Sequence, residues 1–228
     1  MLGEINTSYD VNIYDIDLFD TSVSTMKSLQ TSGKKVICYF SAGSYEEWRS
    51  DSSLFNSSDL GKTLDGWEDE KCLDIRSTNV HTIMKARLDL AVEKGCDGVE
   101  PDNMDGYANE SGFNLNANDE LNFNRLIANE AHSRNLSVGL KNDLDQIPEL
   151  VDYYDFAANE QCFEFDECET LSPFTDQGKP VFNAEYKTEY INDLTTRQNL
   201  CNESNTLQFS TLILPLDLDD SFRYDCSP

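Results

Sequence analysis

Three apolar runs in this chain each end on an acidic side chain. In GCDGVEPDNMDGY, residues 95–107, the run opens into Glu100, Asp102, Asn103 and Asp105. FAANEQC ends on Glu160 and Gln161, and PVFNAEY on Glu185 and Tyr186. A buried strand that surfaces into a carboxylate delivers an acid to the rim of a parallel sheet, where α/β enzymes place their catalytic groups. Carboxyl pairs are the equipment for cutting a glycosidic bond: one donates a proton, the other attacks or stabilises positive charge. Asp102 and Glu160 are two of these strand-end acids, alongside Glu100 and Glu185. The two histidines, His81 and His132, lie in helical patterns and read as non-catalytic.

Further strand ends bring Asp15 (YDID), Tyr39 (CYFSAG), and Lys141 with Asn142 (GLKND). With Asn103, Gln161, Glu185 and Tyr186 they form the candidate substrate-binding set. Acids and amides suit sugar hydroxyls, and aromatic faces suit sugar C–H patches. Plainer roles compete for several positions. Asp15 and Asp17 could cap the helix near Thr21, and Glu100 could serve as the buried partner of Lys141. Asp105-Gly106 reads equally as a turn, Tyr107 as loop packing, and Asp97, ahead of its strand, as structural. The acids Glu164, Asp166 and Glu167 read as a solvated face. Asp102, Asn103 and Asp105 lack the ligand spacing of a calcium loop. No CxxC pair exists to hold zinc. No metal and no cofactor is expected.

Strand-like and helix-like segments alternate around these positions. Strands are expected at 11–16, 35–40, 97–100, 136–141, 154–159, 180–185 and 207–214, with helices clearest at 21–32, 79–94 and 117–135. Residues 43–75, rich in Ser, Asp and Trp, are too long for a plain connector and read as a functional excursion. The alternation implies a parallel sheet. The fold class expected is α/β, a (β/α)8 barrel one strand short, truncated at or within its first strand. Residues 1–228 read as a single domain.

The net charge is −26, from 43 acidic and 17 basic residues. That balance disfavours nucleic acid and anionic membrane as partners, keeps a secreted protein soluble, and would steer in a polycation. No segment is long and apolar enough to span a membrane. Seven cysteines are many for a reducing compartment. Cys162 with Cys168, and Cys201 with Cys226, are the expected disulfides, leaving Cys38, Cys72 and Cys96 with at least one free thiol. Five Asn-x-Ser/Thr sequons, at Asn6, Asn56, Asn109, Asn135 and Asn202, point the same way. Residues 1–20 have neither the basic nor the apolar region of a signal peptide. A monomeric, secreted glycoprotein is the expectation, its signal peptide absent from this chain.

CYFSAGSYEEWR, GWEDEKCLDIRS, GCDGVEPDNMDGY, GLKND, NEQC and GKPVFNAEY, in that order, resemble glycoside hydrolase family 114, from about Val11 to Phe209. The resemblance implies a (β/α)8 barrel, secretion, and endo-α-1,4-polygalactosaminidase activity on cationic, galactosamine-rich polysaccharide. It places the catalytic pair on Asp102 and Glu160, both of which the strand-end reading had put at strand C-termini. The family usually opens with an aromatic first strand, and this chain begins after it, with Met1–Ile5 as a possible remnant. It usually carries Trp where Cys72 stands. Glu160 is assigned as general acid and Asp102 as nucleophile, with the reverse assignment and either stereochemical outcome open. The alternatives are a carbohydrate-binding barrel that has lost its chemistry, or a glycosidase for another glycan.

Overall fold

Helix ends in this chain are written in its capping residues. In the structure, a computed structural model that describes residues 5–227, Ser22 accepts the Thr25 N–H at 3.1 Å at the start of one helix. Asn116 and Asp119 form a reciprocal capping box at another, and Gly95, with φ 85°, closes a third. Between these caps the strands fall where the apolar runs predict. Of the proposed remnant of an opening strand, only Ile5 lies among the described residues, and it is in no strand.

The chain divides into two compact units. The unit of residues 10–143 contains β1 (Ile13–Asp17), α1 (Val23–Thr31), β2 (Lys35–Ser41), β3 (Ser44–Glu46), β4 (Leu60–Leu64), β5 (Trp67–Leu73), α2 (Thr78–Lys94), β6 (Gly98–Asp102), α3 (Ala117–Ser133) and β7 (Ser137–Lys141). β1, β2, β6 and β7 pair in that order, all parallel. Register puts Asp15, Ile37 and Gly98 on one level, Asp17, Tyr39 and Glu100 on the next, and Ser41 with Asp102 on the last. These residues alternate with Tyr14, Ile16, Val36, Cys38, Phe40 and Val99, all buried. One face of the sheet is therefore apolar and packs against the helices, through side chains such as Met26, Ile83, Leu88, Phe123 and Ile127. The other face carries the acids.

The excursion after β2 folds as an antiparallel sheet, β3-β5-β4. Two buried arginines tie it down. Arg49 reaches Asp17 and Glu46, each at 2.7 Å, and Asp20 at 3.2 Å. Arg87 grips Asp51 at 2.8 and 3.0 Å and donates to the Ser41 carbonyl at 2.6 Å.

The second unit runs from Leu144 and includes the N-terminal residues up to Tyr9. It contains α4 (Ile147–Leu150), β8 (Phe156–Glu160), α5 (Ser172–Asp176), β9 (Val181–Glu185), α6 (Thr188–Asn192), α7 (Leu194–Leu207), β10 (Ser210–Ile213) and β11 (Tyr224–Asp225). β8, β9 and β10 are parallel neighbours, and the short β11 pairs antiparallel with β10. A small core of Tyr190, Leu200, Cys201, Ile213 and Cys226 lies under α6 and α7.

Disulfides join Cys162 to Cys168 and Cys201 to Cys226, as expected. A third, Cys38–Cys96, was not read from the sequence; it leaves Cys72 as a buried free thiol. All seven expected parallel strands are present. Among the described residues no helix is long and apolar enough to cross a membrane.

Candidate active site

In the unit of residues 10–143, the acid-bearing face converges on Asp102, the last residue of β6. Its Oδ1 accepts the Asn103 N–H at 2.7 Å and lies 3.1 Å from Lys141 Nζ. Its Oδ2 accepts the Tyr39 hydroxyl at 3.1 Å. Three donors from three strand ends therefore fix the plane of one carboxylate. Lys141, only 5 % exposed, also pairs with Glu100 at 3.3 Å, as expected for a buried partner. Its ammonium is committed to these two acids and lies 5.9 Å from the Tyr39 ring.

Asp15 stands next to Glu100 on the same face. Enclosure by protein, then the charge of Glu100 and a hydrogen bond with it, push the Asp15 carboxyl well above its usual range, while Lys141 pulls the other way. Asp15 is nonetheless exposed to water, so the neighbouring Glu100 charge and its hydrogen bond, more than burial, carry the shift. Burial, and then the adjacent Asp102 charge, hold the Tyr39 phenol well above the ordinary value for tyrosine, so it remains a donor. Asp105 is likewise raised, by burial and then by Asp102.

The excursion supplies groups that strand-end reasoning did not reach. Ser44 donates to Glu70 Oε2 at 2.6 Å and contacts the Ser41 hydroxyl at 2.6 Å; Asn103 Nδ2 donates to Ser41 at 2.9 Å. Burial, then Glu46 and Asp102, raise the Glu70 carboxyl against the opposing Ser44 bond. The signal was present: Glu70 and Cys72 are the buried alternates of WEDEKCL, a period-2 pattern. The Ala42 and Gly43 N–H groups donate to the Asp102 carbonyl at 2.9 and 3.1 Å. A Cβ on Gly43 would lie 1.7 Å from the Asn103 oxygen, so only glycine allows this approach.

The second unit presents Glu160 at the end of β8, where it accepts the Tyr186 hydroxyl. Gln161 donates through Nε2 to Glu164 at 3.1 Å and through its N–H to the Ala184 carbonyl at 2.8 Å. Glu185 corrects the sequence reading. Glu160 is level with Ala184, so Glu185 lies on the opposite face, with Asn183 and Thr211, against Ser204 of α7. It is fully buried and accepts the Phe163 N–H at 2.9 Å and Asn183 Nδ2 at 3.1 Å. It is thus a strut for the Cys162–Cys168 loop, unable to meet a substrate ammonium there. Tyr186, the next residue, shares the face of Glu160.

A common backbone device underlies these strand ends. Asn103, Asn142 and Gln161 have φ of 60°, 48° and 65°, and each directly follows Asp102, Lys141 or Glu160. The left-handed residue turns the chain sharply out of the strand, leaving the preceding side chain at the rim. Asparagine tolerates this conformation better than most residues.

Three comparisons with known proteins bear on this arrangement. The sequence matches glycoside-hydrolase family GH114 over residues 2–227. The crystal structure of Ega3 from Aspergillus fumigatus in complex with galactosamine is similar at 45 % identity and a TM-score of 0.93, covering 98 % of this chain and 91 % of that one. The glycoside hydrolase domain of PelA from Pseudomonas aeruginosa shares the fold at 12 % identity and a TM-score of 0.70, over 92 % and 89 % of the two chains. No match was found among the curated proteins. The fold is the α/β class expected from sequence, parallel strands with helical returns of the (β/α)8 type.

Proposed function

The chain belongs to glycoside-hydrolase family GH114 and is a glycoside hydrolase, and from that premise we propose that it cleaves α-1,4-linked, galactosamine-rich polysaccharide internally and outside the cell. The likeness to a galactosamine-bound relative at 45 % identity supports the substrate class. A net charge of −26 suits a polymer whose free amines are protonated. Three disulfides suit an oxidising compartment.

The observation that carries the reading is the Asp102 carboxylate, oriented by the Asn103 N–H, Lys141 and Tyr39. A nucleophile attacking an anomeric carbon needs a fixed plane and little freedom to rotate. In the mechanism we assign, Glu160 protonates the leaving glycosidic oxygen. Asp102 attacks through an oxocarbenium-like transition state to give a glycosyl-enzyme, and water then releases the sugar with Glu160 acting as base. The Tyr186 hydroxyl orients Glu160. Asn103, Asn142 and Gln161 offer amide groups to sugar hydroxyls, and Asp15 offers a carboxyl to a substrate amine.

The test is incubation with partly deacetylated galactosaminogalactan, following oligosaccharide release by mass spectrometry. The parent should release a ladder of internal fragments. Asp102→Asn and Glu160→Gln should each lose at least about a thousandfold in rate while staying folded. A folded parent that releases nothing, but binds the polymer, would establish a carbohydrate-binding barrel instead.

A further inference from the structure

Both tryptophans of the chain lie in the excursion between β2 and α2, and both are exposed, Trp48 at 52 % and Trp67 at 58 %. Exposed indoles commonly mark a surface that meets a partner. Trp48 borders a cleft of about 370 Å³, formed with Phe19, Asp20, Ser50, Leu90 and Lys94. Leu90 and Lys94 belong to α2, and Phe19 and Asp20 to the loop after β1, so the cleft lies between that loop, the start of the excursion and the C-terminal half of α2.

The cations of the cleft are already committed. Lys94 Nζ donates to the carbonyls of Leu18, Phe19 and Thr21 at 2.7, 2.8 and 2.9 Å. Arg49, 4 % exposed, is held by Asp17, Asp20 and Glu46. Its guanidinium carbon lies 4.9 Å from the Phe19 ring centroid and 5.8 Å from that of Trp48, giving the indole an immobile backing. Three groups remain open to a ligand: the indole, the Ser50 hydroxyl, and the Asp20 carboxylate, whose side chain is 79 % exposed despite its pairing with Arg49. An aromatic plane beside an exposed carboxylate matches a pyranose ring carrying an ammonium group and offers little to an anion.

We propose that this cleft is a second carbohydrate site, binding a 2-amino-2-deoxyhexose residue of the polymer other than the two joined by the bond being cut. The sugar ring stacks on Trp48, its ammonium pairs with Asp20, and Ser50 meets a hydroxyl. The proposal rests on the polysaccharide-cleaving function above. Such a site keeps a long chain tethered between cuts and raises its effective concentration at the catalytic face.

The test uses full-length protein carrying Asp102→Asn to prevent cleavage and Trp67→Phe to leave Trp48 as its one indole. Titration with α-1,4-linked galactosamine oligomers should shift Trp48 emission saturably. Asp20→Asn should weaken that response about tenfold or more for the cationic oligomers, but not for their N-acetylated counterparts. In the otherwise intact enzyme, Trp48→Ala should leave the rate on short oligomers unchanged and lower the rate on long polymer several-fold. Silent Trp48 emission while calorimetry registers oligomer binding would overturn the site alone, as would an unchanged rate of Trp48→Ala on long polymer. A parent that neither binds nor cleaves these glycans would remove the function and the site together.

Discussion

Glu120, in the first turn of α3, offers the sharpest test of how charge is stored near the candidate site. It is fully buried; Oε2 accepts the Tyr107 N–H at 3.1 Å, and Oε1 is buried without a hydrogen-bond partner. Burial pushes its carboxyl from 4.5 up to about 8, against the Tyr107 bond and with help from Asp105 and Asp119. An acid whose folded value lies above its unfolded one is protonated in the folded chain where the unfolded chain has already lost the proton. This contribution is therefore neutral below about pH 4.5, and stability falls as pH rises, with the whole penalty in place above about pH 8. At about 1.4 kcal/mol per unit the ceiling is about 5 kcal/mol, and relaxation with water entry brings a realistic figure to about 2–4 kcal/mol. Glu120→Gln keeps the shape and the Tyr107 acceptor and cannot ionise. Urea denaturation of both proteins at pH 5, 6.5 and 8.5 should give curves within about 1 kcal/mol at pH 5. At pH 8.5 the variant should be more stable by about 2–4 kcal/mol. A difference that does not change with pH, or a variant less stable at pH 8.5, would refute a buried neutral Glu120.

Three further outcomes can be measured. Lys141→Met strands Glu100 and Asp102 without their shared cation, and should cost about 3–5 kcal/mol in chemical denaturation. The acid limb of its kcat/KM profile should also move to higher pH. Gly43→Ala drives a methyl into the Asn103 carbonyl and should lower stability by at least about 3 kcal/mol along with activity. Gly66→Ala, in the open turn between β4 and β5 at φ 79°, should cost only about 1 kcal/mol; comparable melting temperatures for the two would contradict the close approach at Gly43. Replacing Cys38 and Cys96 together by serine opens a covalent loop of sequence separation 58 and should cost about 4 kcal/mol by loop entropy, read from denaturant midpoints.

The strands and long helices were legible because parallel strands read as short apolar runs, and because Ser22, Ser77, Asn116 and Gly95 mark the helix ends. The strand-end acids were legible for the same reason. What failed was facing. Glu185 closes its strand as visibly as Asp102 does, but a single step along a period of two turns it into the helix layer. The Glu70–Ser44–Ser41–Asn103 relay stayed hidden because it depends on β5 pairing between β3 and β4, a non-local arrangement. Cys38–Cys96 carries no local spacing signal. The two residues meet because β2 and β6 are neighbours in the sheet, though far apart in the chain.

That same disulfide has a neighbour of similar purpose. Asp97, directly after Cys96, takes Lys35 at 2.7 Å, Gln30 at 3.0 Å and the Val36 N–H at 3.0 Å. Covalent and polar fastening is thus gathered toward the ends where β2 and β6 begin, whereas mutually repelling acids crowd the ends where these strands finish. A scaffold fastened at its base can tolerate turnover at its rim. In laboratory evolution toward other glycans, the Cys38, Cys96 and Asp97 cluster is therefore the part to leave untouched.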